Sequence, residues 1–238
     1  MNEQVNLNVE QKRRYPENTV NPETIATIAI ELGTVAMEFA DIKRVPRYAN
    51  GERENDAEHS FMLALIGPEL ATALRLDLDI GLVSQYSNVH DLIELRTGDI
   101  ATFSISTDAL LEKEHNEHSA LKQLAAELPP HTANLLVAYE SQKDAESKFV
   151  KGVDKLLPVV VDIIGLGAKV MEEDYNVSTI EALMDCHKEL HTRIKQKYGT
   201  EYPDIALAHR ILCELFEVSF PIQQALLETN QQESLQNV

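Results

Sequence analysis

The chain has 238 residues, two cysteines and a formal net charge of −18. That length suits one large domain with its own hydrophobic core, so neither disulfides nor a metal is needed merely to fold. The acidity argues against a long nucleic-acid partner. No apolar run approaches the ~20 residues a membrane span needs, and the polar N-terminus lacks the pattern of a signal peptide. The expectation is a cytoplasmic protein with no membrane partner, in which Cys186 and Cys213 are ordinary buried thiols on late helices.

Residues 1–20 are polar and without sustained period, and read as a flexible arm. Asn21-Pro22-Glu23 has the order of a helix start: a capping Asn, a Pro at the first helical position and an acid in the first turn. Ile25, Ile28, Ala29, Leu32, Val35, Ala36 and Phe39 follow at helical spacing. Pro46 and Asn50-Gly51 break that pattern, leaving a loop that carries Lys43, Arg44, Arg47 and Arg53. On so acidic a chain this cluster suggests an anion receptor.

A second helix is expected over Asp56–Leu74, kinked or interrupted at Gly67-Pro68, and a third over Ile80–Leu95, stopped at Thr97-Gly98. Amphipathic stretches follow at Asp108–Glu127, Ala133–Tyr139, Ala145–Glu173 with a kink at Pro158, Ser178–Tyr198 and Asp204–Glu217. The last dozen residues, rich in Gln, Glu and Asn, are expected to fray. With no alternating β-branched run, Gly-rich phosphate loop or internal repeat, the class is all-α. The expected organisation is an arm over 1–20, a core over 21–175, helices packed on it over 176–220 and a polar tail over 221–238.

His90-Asp91 sits between Val89 and Leu92-Ile93, a context that faces a core. Two adjacent ionisable groups are costly to bury unless paired, hydrogen-bonded or metal-bound. An imidazole beside a carboxylate is a mixed N/O ligand pair, suited to Mn, Fe, Co, Ni or Zn. His59 and Asp154 are the obvious further ligands from other helices. Glu94 follows His90 by four residues and so shares its helix face. It is placed to orient or deprotonate a water, or to protonate a leaving oxygen. Arg44 can fork onto a phosphate, and Lys151, one turn before Asp154, is a further cation beside it. His115 and His118 share a helical face, but Glu112, Lys113, Glu114 and Glu117 surround them, which suits a solvated surface better than a second metal.

Taken in order, Arg44-Val45-Pro46, Glu58-His59-Ser60, His90-Asp91-Leu92-Ile93-Glu94, Thr97-Gly98-Asp99-Ile100 and Lys151-Gly152-Val153-Asp154-Lys155 resemble the signature of the HD-domain superfamily. The likeness runs from about Ile25 to Lys169 and is strongest to the small 5′-deoxynucleotidase-like branch. It implies a helical bundle around one divalent ion (Mn, Co, Ni, Fe or Zn, with Mg as a further option) held by His59, His90, Asp91 and Asp154. It also implies hydrolysis of a small-molecule nucleotide phosphate ester by a homodimer. In that branch the position of Arg44 contacts the phosphate and that of Asp99 recognises the sugar hydroxyls. Val45 stands where the branch has a bulky aromatic, and Ile100–Ser104 lacks the expected prolines, so the pocket edge and base preference are not carried over. The alternatives are a nucleoside triphosphate triphosphohydrolase, a cyclic- or signalling-nucleotide phosphodiesterase, and a catalytically silent nucleotide-binding module.

Overall fold

The computed structural model describes residues 21–99 and 119–236. Helix α1 spans Pro22–Asp41, and Asn21 caps it by accepting the Glu23 N–H at 3.1 Å. Where the sequence suggests a loop, the chain forms a two-stranded antiparallel ribbon, β1 (Lys43–Arg47) and β2 (Arg53–Asn55). Its strands are too short and too charged to show in the pattern of apolar residues. The turn closes with the Gly51 N–H on the Tyr48 carbonyl, at a Gly51 φ of 89° that favours glycine.

Helix α2 (Asp56–Ala73) starts directly after β2, through a capping box in which the Asn55 side chain and the Glu58 side chain satisfy each other's backbone N–H. Pro68 lies inside this helix without interrupting it, against expectation. The packing explains Gly67: a Cβ there would sit 3.4 Å from Val83 Cγ1, so the glycine permits close approach to α3 (Ile80–Val89). Helix α3 ends sooner than expected. His90 caps it, the chain turns through 91–93, and α4 (Glu94–Thr97) is a separate turn ended by Gly98 at φ 70°.

Helix α5 has its described residues at 119–127 and is followed by α6 (Pro130–Ser141). The single long helix expected over Ala145–Glu173 is three: α7 (Ala145–Asp154), α8 (Leu157–Ile164) and α9 (Gly167–Tyr175). Pro158 falls in the first turn of α8 rather than at a kink, where its missing N–H costs nothing. Gly165 ends α8 because the Arg47 carbonyl packs where a Cβ would stand.

Helix α10 is Ile180–Tyr198, and α11 runs from Pro203 to Gln236, well past the expected end at Glu217. The extension is held by side chains that read as a polar tail in sequence. Gln223 accepts the Ala168 N–H and donates to the Asp162 carbonyl, and Gln224 donates to Glu172 and the Ser178 carbonyl. The expectations for 1–20, for Ile100–Ser104 and for His115 and His118 fall outside the described residues. No helix among the described residues is long and apolar enough to cross a membrane.

One core cluster joins α2, α3, α6 and α7 through Leu63, Val83, Leu136, Phe149 and Val153; a second joins α8, α9, α10 and α11 through Val159, Val170, Leu183, Phe216 and Phe220. The site described next lies where the ribbon meets α2, α3 and α7.

Candidate metal centre

Four side chains from three helix segments converge: His59 on α2, His90 and Asp91 at the end of α3, and Asp154 at the end of α7, with one ligand-type atom from each within 4.8 Å of the others. His59 Nε2 lies 2.9 Å from Asp154 Oδ1 and 3.8 Å from Asp91 Oδ2. His90 Nε2 lies 2.9 Å from Asp91 Oδ2 and 3.7 Å from Asp154 Oδ1. Two ligands about 2.1 Å from a shared ion stand about 3.0 Å apart at a right angle and about 3.4 Å apart at a tetrahedral one; the pairs here, at 2.9 Å and at 3.7–3.8 Å, fall on either side of that range. Both imidazoles are fully or almost fully buried, as is Asp154, while Asp91 is partly open.

Ring tautomers agree with a cation at this point. His90 Nδ1 lies 3.0 Å from the Ser87 carbonyl, a bond that requires Nδ1 to carry the proton and turns the Nε2 lone pair toward the quartet. That Nε2 is buried with no hydrogen-bond partner among the described residues. Burial by itself would lower the His90 pKa, but the Asp91 and Asp154 carboxylates outweigh it and push it up to about 10. Asp91 is held well below the usual carboxylate range: burial opposes ionisation, and His90 and Arg44 overcome it. The donors therefore favour positive charge at their centre, and the mixed nitrogen and oxygen set suits a first-row divalent ion.

Arg44, in β1, projects into the same space. Its Nη1 lies 3.0 Å from Asp91 Oδ2 and 3.1 Å from Asp56 Oδ1, its Nε lies 3.2 Å from Glu54 Oε2, and Glu94 and Asp99 each approach Nη1 to 4.0 Å. Glu94 opens α4 beside it, buried; desolvation first, then Asp91, Asp56 and Asp99, push its carboxyl pKa up to about 11. Asp56, Asp91 and Glu94 form a second close group of oxygens, against which the Arg44 guanidinium lies.

The rest of the basic cluster is used differently from the sequence expectation of one anion receptor. Arg47 pairs with Glu173 and Asp174, and Arg53 pairs with Asp174 while donating to the carbonyls of Arg44 and Val45. These two arginines fasten the ribbon to α9. Val45 packs against the second core cluster, which Tyr175 also joins. No ion pair or hydrogen bond joins Lys151 to the site among the described residues; Lys155 instead lies with Nζ 2.6 Å from Asp154 Oδ2.

Glu54, Asp56 and Lys155 are neighbours of the site that sequence reasoning gave no role. Lys155 had a usable signal, since it directly follows Asp154 at a helix end. Glu54 and Asp56 had none, because one sits on a short strand and the other reads as an ordinary first-turn acid. Away from the site, Cys213 Sγ lies 3.7 Å from His209 Nδ1, its i,i+4 neighbour on α11. Burial lowers the His209 pKa to about 4 and raises that of Cys213 to about 12, so both are neutral core groups.

A ribbon and helical bundle thus enclose two histidines and two aspartates that could hold a metal ion. A family model described as an HD domain matches residues 39–196. The human 5′-deoxynucleotidase HDDC2 is 33% identical over 124 residues, a match covering 48% of this chain and 58% of the human protein. A predicted metal-dependent phosphohydrolase from Magnetospirillum magnetotacticum shares the fold at a TM-score of 0.60 and 22% identity, covering 83% of this chain and 95% of that one. An HD-domain phosphohydrolase from Listeria innocua does so at 0.51 and 19% identity, covering 84% and 98%. The chain belongs to the HD-domain family, whose model covers residues 39–196.

Proposed function

We propose that the protein removes the 5′-phosphate from nucleoside monophosphates, with a preference for deoxyribonucleotides. The observation that carries this reading is the juxtaposition of the His59, His90, Asp91, Asp154 quartet with a buried arginine, Arg44, 3.0 Å from Asp91. The likeness to the human 5′-deoxynucleotidase supports the substrate class.

His59, His90, Asp91 and Asp154 would hold a divalent ion, which when bound would supply Lewis acidity and lower the pKa of water from ~16 toward ~7. Arg44 offers its guanidinium to a phosphate oxygen, in a setting where five carboxylates otherwise surround it. The water oxygen attacks phosphorus, the bond from phosphorus to O5′ breaks, and a proton must reach the departing O5′. Glu94 is the carboxyl placed beside Asp91 to exchange that proton. Asp99, whose Oδ1 lies 4.0 Å from Arg44 Nη1, is the group assigned to the sugar hydroxyls.

A triphosphate substrate needs more cations than a monophosphate. Arg47 and Arg53 are engaged by Glu173 and Asp174, and Lys151 makes no polar contact with the site among the described residues, which leaves Arg44 and Lys155 as the side-chain cations beside the quartet and supports the monophosphate reading. A hydrolysis panel tests it: metal-stripped protein reloaded with Mn, Co, Ni, Mg or Zn, given deoxy- and ribonucleoside mono- and triphosphates. Nucleoside plus phosphate from monophosphates, absent in Asp91→Ala, is the expected result. Tripolyphosphate from triphosphates moves the protein to the other reading.

A further inference from the structure

Glu54 is fully buried, yet it is neither a member of the quartet nor placed to touch a substrate. Its Oε2 lies 3.2 Å from Arg44 Nε and faces His59 Nδ1 at 3.5 Å, longer than a formed hydrogen bond. His59 Nδ1 is buried without a hydrogen-bond partner among the described residues, which leaves the Glu54 carboxylate as the acceptor a small shift would bring into range, and its Nε2 points to Asp154. Ser87 plays the matching part at the other imidazole, where its carbonyl meets His90 Nδ1. The chain holds Glu54 rigidly, because the residue after it, Asn55, is the N-cap of α2 and is locked by the capping box with Glu58.

Burying a carboxylate is costly unless it is matched to fixed donors. Arg44 is already matched by Asp56 and Asp91, so charge balance for Arg44 alone does not require Glu54. What Glu54 adds is a shared oxygen between a group that orients a ligand and a group that grips an anion. We propose that Glu54 is a positioning residue, which holds His59 with Nδ1 protonated and Nε2 free for a metal while fixing the plane of the Arg44 guanidinium. This rests on the reading of the quartet as a metal centre.

Outer partners of metal-bound histidines typically change metal affinity about 10–100-fold when removed. The test is a calorimetric titration of Mn or Co into the metal-stripped full chain, with folding followed by circular dichroism and no nucleotide present. Glu54→Ala is expected to raise the dissociation constant about 10–100-fold. Glu54→Gln keeps an oxygen acceptor and should recover most of that loss. Asp56→Asn removes an equal charge next to Arg44 without touching His59, and should behave like Glu54→Gln. If Glu54→Ala does not fold, Glu54→Asp replaces it: charge is kept, reach to His59 is lost, and the same weakening is expected.

Equal effects from Glu54→Ala, Glu54→Gln and Asp56→Asn, or wild-type affinity in Glu54→Ala or Glu54→Asp, overturn the proposal and leave Glu54 as a buried counter-charge. A wild-type chain that takes up no metal overturns it together with the metal-centre reading. Metal binding that depends on Glu54 in a protein inactive on every nucleotide sustains it and removes only the substrate assignment.

Discussion

Arg44 Nη1 lies 3.0 Å from Asp91 Oδ2, joining a strand of the N-terminal ribbon to the turn after α3 across 47 residues of sequence. The contact places the proposed phosphate receptor directly against a proposed metal ligand. Removing Arg44 leaves Glu54, Asp56 and Asp91 without their shared cation, and breaking a buried pair by deleting one partner typically costs about 3–5 kcal/mol. Arg44→Ala should therefore lower both Tm and phosphate-ester affinity. Arg44→Lys should restore much of the Tm but not the KM, because an ammonium lacks the guanidinium's fork. Melting curves and steady-state kinetics on both variants check this; full rescue of KM by lysine contradicts it.

Asp91→Ala and His90→Ala each delete one donor from the quartet. The expected outcome is less than one equivalent of Mn or Co retained after gel filtration, measured by elemental analysis. Loss of a metal effect worth several kcal/mol corresponds to a rate reduction of about a thousandfold or more. Retention of metal at full stoichiometry by both variants removes these residues from the ligand set.

Lys155 and Lys151 give a paired comparison. Lys155 Nζ lies 2.6 Å from Asp154 Oδ2, whereas Lys151 has no polar contact with the site among the described residues. Lys155→Met removes a cation that draws charge from Asp154, so metal binding should not weaken, while KM for a phosphate ester should rise several-fold. Lys151→Met should leave both within about twofold, the usual scale of a surface change. The reverse ranking in a parallel titration and kinetic assay contradicts the assignment.

Asp162 supplies a pH signature outside the proposed metal centre. It lies on α8, 6% exposed, with Oδ1 unpartnered among the described residues. Burial, with Glu54 adding to it, pushes its carboxyl pKa up to about 8. The folded state therefore holds this proton more tightly than the unfolded chain. Its stabilising contribution is complete below the ordinary carboxyl pKa of about 4 and is lost as pH rises toward 8. Asp162→Asn removes the ionisation, so thermal melts from pH 4 to 9 should show the variant gaining on wild type across that interval, by up to a few kcal/mol. Parallel stability curves contradict this.

The amino-acid pattern by itself determined the all-α class, the cap at Asn21 and the helix starting at Asp56, and it singled out His59, His90, Asp91 and Asp154, which the fold brings together. Those features are legible because helical periodicity, capping chemistry and paired ionisable groups in apolar contexts are local properties of the chain. The tertiary structure decided what depends on distant partners. It made a ribbon of a charged loop, because Arg47 and Arg53 find Glu173 and Asp174 on α9. It carried α11 past Glu217, because Gln223 and Gln224 meet backbone carbonyls on other segments. It selected Lys155 rather than Lys151 beside Asp154, and it set Glu54 between Arg44 and His59. For the ribbon and for α11 the energy lies in pairing a polar group with one far along the chain, and a pattern read residue by residue does not show which distant group that will be; at Lys155 and Glu54 the partners are near in sequence, and only the turn of the backbone decides which side chain meets them.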